Sequence, residues 1–154
     1  MYHIILWFIL NLANPPHVPF QGTYSYFYGK GAEEPFRLIK IHYVNQSTIL
    51  FYLEVGRGAP SYNMGSLYGR LLFNEKNGRY KYVPKDLSAD CEFEIIKQKD
   101  KLIIKTVAGN CPFGGGVSAD GVYQLKSIRN PQYFTNGAGM KVYFDRTSPE
   151  GIWR

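Results

Sequence analysis

Cysteine is nearly absent from this chain, with two residues in 154, Cys91 and Cys111. Two thiols without a CxxC spacing do not make a structural zinc site, which takes four ligands. Histidine is almost as scarce: His3 and His17 lie near the start, and His42 alternates with Leu38 and Lys40 on a strand-like stretch. No metal site, cofactor or His-assisted nucleophile is expected, and no catalytic residue is assigned. Long apolar runs are missing too, the one exception being Ile4 to Leu10. That run is too short to span a bilayer, which takes about twenty apolar residues. Basic residues never stand side by side, so no polybasic segment marks a nucleic-acid or membrane site. Amphipathic helical periodicity, internal repeats and low-complexity segments are absent as well.

Aromatic residues and turn formers are plentiful. Thirteen Tyr, ten Phe and two Trp accompany sixteen Gly and nine Pro, with 45% hydrophobic and 19% charged residues. Tyrosine at this density suits half-buried sheet positions, where the ring packs and the hydroxyl reaches water. Eighteen Lys and Arg against twelve Asp and Glu give a net charge of +6, which favours anionic partners. The composition is that of a globular all-β domain.

The apolar run at Ile4–Leu10 matches the core of a secretory signal peptide, although no Lys or Arg precedes it. Residues 1–13 are therefore read as a signal peptide, the alternative being an apolar strand docked on the domain. A lipid-modified cysteine after the run is excluded, because no cysteine precedes Cys91. The segment 14–21, with Pro15, Pro16 and Pro19, is a linker. Strand signals follow at 22–28, 36–44, 48–55, 66–73, 79–83, 92–97, 101–107 and 122–126. In the third of these, Ile49, Phe51, Leu53 and Val55 share a face opposite Thr48, Tyr52 and Glu54, the pattern of a strand with one buried face. Asn77-Gly78 and Gln98-Lys99-Asp100 supply tight turns. Connections this short require antiparallel pairing. Eight such strands predict a single antiparallel eight-stranded barrel over 22–126, closed in a manner similar to lipocalins and calycins, with a two-sheet sandwich as the alternative. The tail, 127–154, carries a turn at Asn136–Gly139 and a further strand at Met140–Phe144. It is expected to form a C-terminal hairpin or tail packed on the barrel, either closing it or lying across one mouth with Trp153 as a plug.

Both cysteines lie in the stretch 91–123. Cys91 opens a strand and Cys111 follows its partner just past Ala108-Gly109, which brings the two backbones near each other. A disulfide follows if the chain is exported; two free buried thiols are the alternative. Gly114-Gly115-Gly116 invites a phosphate-loop reading, but the glycines lead into a strand and not a helix. A wide turn ending at Asp120-Gly121 fits better. Glu92 and Glu94 share a face and are expected to be solvated and balanced by Lys97, Lys101 and Lys105. Arg79-Tyr80-Lys81-Tyr82 places two cations on one face and two phenols on the other. With Tyr24, Tyr26 and Tyr28, it makes either a stacking surface for an anionic ligand or ordinary core packing. These tyrosines, Phe113 and Asp120 are the candidate ligand or partner contacts. Asn45-Gln46-Ser47 fits the N-glycosylation pattern on a turn, which matters only in a eukaryotic secretory pathway.

The segment Cys91-Glu92-Phe93 to Asn110-Cys111-Pro112-Phe113-Gly114-Gly115-Gly116-Val117-Ser118-Ala119-Asp120-Gly121-Val122-Tyr123, preceded by Gly22-Thr23-Tyr24, resembles small uncharacterised secreted bacterial proteins with a C-x-FG-x-x-V-x-ADG-x-Y ending. A looser similarity is to periplasmic lysozyme-inhibitor barrels. A +6 protein is poorly matched to a basic enzyme, however, and no inhibitory residues carry over. The resemblance implies a secreted or periplasmic bacterial protein. The expected function is that of a non-catalytic binding protein of the cell envelope, taking an anionic or amphipathic ligand. The alternative is an inhibitor or interaction module acting on another protein through Gly109–Gly121; an enzyme is the least favoured reading. Export argues against nucleic acid as partner.

Overall fold

A computed structural model describes residues 19–27, 33–85 and 90–149. The signal-peptide call, His3, His17, most of the linker, Tyr28 and Trp153 lie outside the described residues. The chain forms β1 (Gly22–Phe27), β2 (Phe36–Asn45), β3 (Thr48–Gly56), β4 (Met64–Asn74), β5 (Arg79–Tyr82), β6 (Cys91–Lys97), β7 (Lys101–Gly109) and β8 (Gly121–Ser127). A short pair, β9 (Tyr133–Thr135) and β10 (Lys141–Tyr143), follows. The first eight pair in sequence order, all antiparallel, and β8 returns to β1 to close an eight-stranded barrel. Strand limits agree with the sequence reading to within two residues, the largest gains being at the start of β4 and the end of β7.

Side-chain alternation does the rest. The register sets Ile39 opposite Leu53, Ile41 opposite Phe51, and Leu53 opposite Leu67. These residues, with Phe93, Ile95, Leu102, Ile104 and Tyr123, are buried in one core cluster inside the barrel. Aromatic rings fill its middle: Phe51 meets Tyr82 and Phe93 edge-on at 5.3 and 5.5 Å. Gly69 makes room for them, since a Cβ there would come within 2.7 Å of the Tyr82 ring and 2.8 Å of the Phe51 ring. Phe20, at the end of the proline-rich segment, is wholly buried against Tyr80 with ring centroids 4.1 Å apart. It stops the barrel end that carries the short turns, and Lys97 lies over its ring at 5.5 Å.

The described part of the tail does not complete the barrel, and the Trp153 of the plug expectation lies outside the described residues. Closure belongs to β1 and β8, and the β9–β10 hairpin packs on the outer wall. Phe134 and Phe144 join Leu50, Tyr52 and Tyr68 in a second buried cluster. The Tyr52 and Phe134 rings stack at 4.0 Å. The single buried face expected of β3 is therefore corrected: Leu50 and Tyr52, on its outward side, are buried beneath the hairpin. His42, whose alternation with Leu38 and Lys40 suggests a surface or half-buried sheet position, is likewise buried. Its ring stacks on Phe144 at 4.9 Å, and its Nδ1 hydrogen-bonds the Pro131 carbonyl at 2.8 Å. The Asn130 side chain brackets Tyr43, accepting from its N–H and donating to its carbonyl, each at 2.9 Å. A second correction concerns Glu92 and Glu94. Their close partners are Lys81 and Arg79 of β5, each at 2.6 Å and each reached diagonally across the β5–β6 pair, while Lys105 of β7 stands opposite Glu94 in the register.

Because Phe134 is the buried centre of the second cluster, Phe134→Ala should lower unfolding free energy by about 3–5 kcal/mol. Urea unfolding followed by tyrosine fluorescence measures this; an unchanged midpoint would mean that the hairpin adds nothing to stability.

Candidate functional site

Up-and-down topology sends the connections to two ends, and their lengths differ sharply. The turns after β2, β4 and β6 are tight, whereas the longer connections after β3 and β7, 57–63 and 110–120, emerge together at the opposite end. Long loops on a rigid scaffold are where binding residues concentrate.

The segment 110–120 folds back over this end as a cap. It starts at Gly109, whose φ of +65° and contact with Asp90 exclude a side chain: a Cβ there would lie 1.4 Å from the Asp90 carbonyl oxygen. Cys111 is then bonded to Cys91, with a Cα–Cα distance of 4.4 Å. Phe113 turns inward and lies on the bare backbone of Gly65. Farther on, Gly114 N–H donates to the Met64 carbonyl at 3.1 Å, Asn63 Nδ2 to the Gly115 carbonyl at 2.7 Å, and Arg37 Nε to the Ser118 carbonyl at 3.1 Å. The Tyr123 hydroxyl donates to the Ala119 carbonyl at 2.7 Å. Asp120 accepts from both the N–H and the hydroxyl of Thr106, at 2.8 and 2.7 Å. Phe113 is thus half-buried cap packing, and Asp120 is a carboxylate holding the cap to β7.

Beside the cap, the loop 57–63 is braced in the same way. Arg57 N–H donates to the Asn63 carbonyl at 2.9 Å, Tyr62 N–H to Gly58 at 2.8 Å, and Ala59 N–H to Glu33 at 2.7 Å. Tyr62 has a φ of +51°, a left-handed conformation that costs a non-glycine residue about 1–2 kcal/mol. Its ring is nevertheless 53% exposed, as is Met64 to 50%. The Arg57 guanidinium lies along Gly116 of the cap. Asn63, Met64 and Arg57 therefore join the two loops into one platform with Tyr62 at its surface.

The other sequence candidates lie elsewhere. Tyr24, Tyr80 and Tyr82 point into the core, and burial pushes their hydroxyls above the usual tyrosine range. Tyr26 is half-buried, with the Arg37 guanidinium 5.4 Å from its ring centre. The β5 stretch presents no stacking rings: its phenols face inward and its cations are paired with carboxylates. Glu54 is half-buried on the outer wall, where burial raises its pKa and the charge of Lys40 offsets part of that effect.

A basic and aromatic face that the sequence reading passed over lies on the outer hairpin. Register places Tyr133 opposite Tyr143, with ring centroids 5.8 Å apart. Lys141 and Lys40 approach the Tyr133 ring at 4.2 and 5.3 Å, and Arg146 approaches Tyr143 at 4.8 Å. The turn Asn136–Gly139, flanked by a tyrosine on each side, was the available signal. Tyr62 had none, since its exposure and backbone angle come from tertiary bracing.

Among the described residues, no group of three or more His, Cys, Asp or Glu is placed to hold a metal ion, and no helix is long and apolar enough to cross a membrane. Comparison of the chain with protein-family models, curated proteins and solved structures finds no match.

Two outcomes follow from this geometry. Replacing both cysteines by serine should lower stability by about 3 kcal/mol, as the bond closes a loop of twenty residues; paired urea curves measure it. Buried phenols also set an alkaline limit. Burial, then the Glu54 charge, pushes Tyr52 up to about 12, and burial raises Tyr123 further. Such groups hold their protons more tightly folded than unfolded, so their contribution is complete below pH 10 and is lost as pH climbs towards the folded-state values. Tyrosinate absorbance should therefore appear together with unfolding above pH 10. A smooth titration of all thirteen tyrosines near 10 in the folded protein would contradict it.

Proposed function

We propose that this chain is a non-catalytic binding protein of an oxidising, exported compartment, secreted or periplasmic in a bacterium, and that it recognises another protein through the loop-bearing end of its barrel. The observation that carries this reading is Tyr62. A bulky ring is held in an unfavourable backbone conformation and left exposed, by two loops bonded to each other and to the barrel. Strain kept at an exposed position is a mark of function, and a rigid tyrosine surrounded by braced loops is what protein interfaces use as an anchor. Three further features support it. The middle of the barrel is filled by its own side chains, which directs recognition to the outside. Asp120 and His42 already serve structural bonds. The Cys91–Cys111 bond suits an oxidising compartment, as does the resemblance to small secreted proteins. Arg57 gives the platform a positive rim that would suit an acidic partner surface.

A photo-reactive phenylalanine analogue at position 62, compared with one at Asn77 on the opposite end, tests this in cells of the source organism. A discrete protein adduct from 62 and none from 77 is expected. No adduct from 62, or the same adducts from both, would sink the reading. Tyr62→Gly relieves the left-handed strain, so its stability should stay within about 1 kcal/mol of the parent. Retention of the partner should nonetheless fall. Unchanged retention would make Tyr62 a mere loop residue.

A further inference from the structure

The outer face of the β9–β10 hairpin is separate from the loop platform and carries a different chemistry. Lys40 reaches from β2 to donate to the Tyr133 carbonyl at 3.1 Å, and its ammonium lies 5.3 Å from the Tyr133 ring centre. Lys141 approaches the same ring at 4.2 Å. Two ammonium groups therefore converge on one exposed tyrosine, while Arg146 covers the neighbouring Tyr143 at 4.8 Å. The opposing carboxylates are few. Glu54 acts on Lys40, and Asp145 lies 3.8 Å from Arg146, with both side chains largely exposed. Lys141 has no carboxylate partner among the described residues. Beside these groups lies an open depression of about 390 Å³, lined by the polar Asn136, Lys141, Tyr143, Arg146 and Thr147 and by the apolar Met140 and Val142. That volume is on the scale of small-ligand sites. Asn136 Oδ1 is occupied by the N–H groups of Ala138 and Met140, which leaves its amide nitrogen to donate.

We infer that this face is a binding site for a carboxylate-bearing polysaccharide. Like charges gathered on one side of a basic protein attract a polyanion, and the tyrosine rings offer flat apolar faces on which a sugar ring can lie. The Asn136 amide and the Thr147 hydroxyl match sugar hydroxyls. The choice of a glycan over a nucleic acid rests on the proposed exported compartment, which the disulfide suits. The site is independent of Tyr62 and stands or falls without it.

Equilibrium binding of polygalacturonate to the intact chain tests the inference, with neutral dextran, oligo-dT and phosphatidylglycerol vesicles as the other probes. Polygalacturonate should bind with an affinity that falls as salt rises, and dextran should not bind. Lys141→Gln with Arg146→Gln should weaken binding at least tenfold, and Tyr133→Ala severalfold, with unfolding midpoints unchanged for the glutamine pair. Lys105→Gln with Lys126→Gln, which removes two exposed charges elsewhere, should change affinity less than twofold. Equal losses from the two pairs would reduce the effect to net charge and overturn the site. Equal binding of dextran, no binding of polygalacturonate, or tighter binding of oligo-dT or vesicles would overturn it as well.

Discussion

The pairing of β1 with β8 is the constraint on which the rest of the structure depends. Tyr24 opposite Leu125 and Ser25 opposite Gln124 turn an eight-strand meander into a ring without free edges. Once the ring is closed, alternation has a fixed meaning, since every second residue faces a space too narrow for anything but side chains. Tyr24, Ile39, Phe51, Phe93 and Tyr123 then become one core. A slip of one residue along any pair would exchange the two faces, so closure and register stabilise each other.

Closure also creates the problems that the remaining segments solve. A small barrel has two open mouths, and each is stopped by an aromatic ring from outside the strands: Phe20 at the short-turn end and Phe113 of the cap at the other. The cap is held by one covalent bond and several hydrogen bonds, two of which tie its glycine triplet to Met64 and Asn63. The outer wall of β2–β4 is unusually apolar for a solvated face, with Leu50, Tyr52 and Tyr68 outward. The tail hairpin covers it through ring stacking, with Phe134 and Phe144 as its contacts. Burial on both sides makes β3 the most enclosed strand of the barrel.

The two proposed binding surfaces arise from these same solutions. Bracing of the cap against loop 57–63 is what holds Tyr62 outward in a left-handed conformation. Laying the hairpin on the wall directs Phe134 inward, and alternation then turns Tyr133, Lys141 and Tyr143 outward beside Lys40. Neither surface is an addition to the fold; each is the solvent side of a segment whose inner side completes the core.

Strand positions, their antiparallel order and the pairing of the two cysteines could be read from the chain, because they rest on local information: period-two alternation, Asn-Gly turns and a short separation between Cys91 and Cys111. The inward set on β3, Ile49 to Val55, was legible for the same reason. The outward burial of Leu50 and Tyr52, the covered His42 and the Glu92 and Glu94 partners were not, since each depends on which distant segment lies alongside. The candidate tyrosines divided in the same way. Pattern showed that Tyr24, Tyr80 and Tyr82 share faces of strands, but only closure decided that those faces are interior. Tyr62 carried no distinguishing signal, and the turn between Tyr133 and Tyr143 marked a hairpin without showing which of its faces is exposed, because exposure is a property of the assembled surface. The sequence by itself determined the barrel, whose rules are local and repetitive; the tertiary structure alone decided which aromatic rings are core and which are left exposed, because that depends on contacts between residues far apart in the chain.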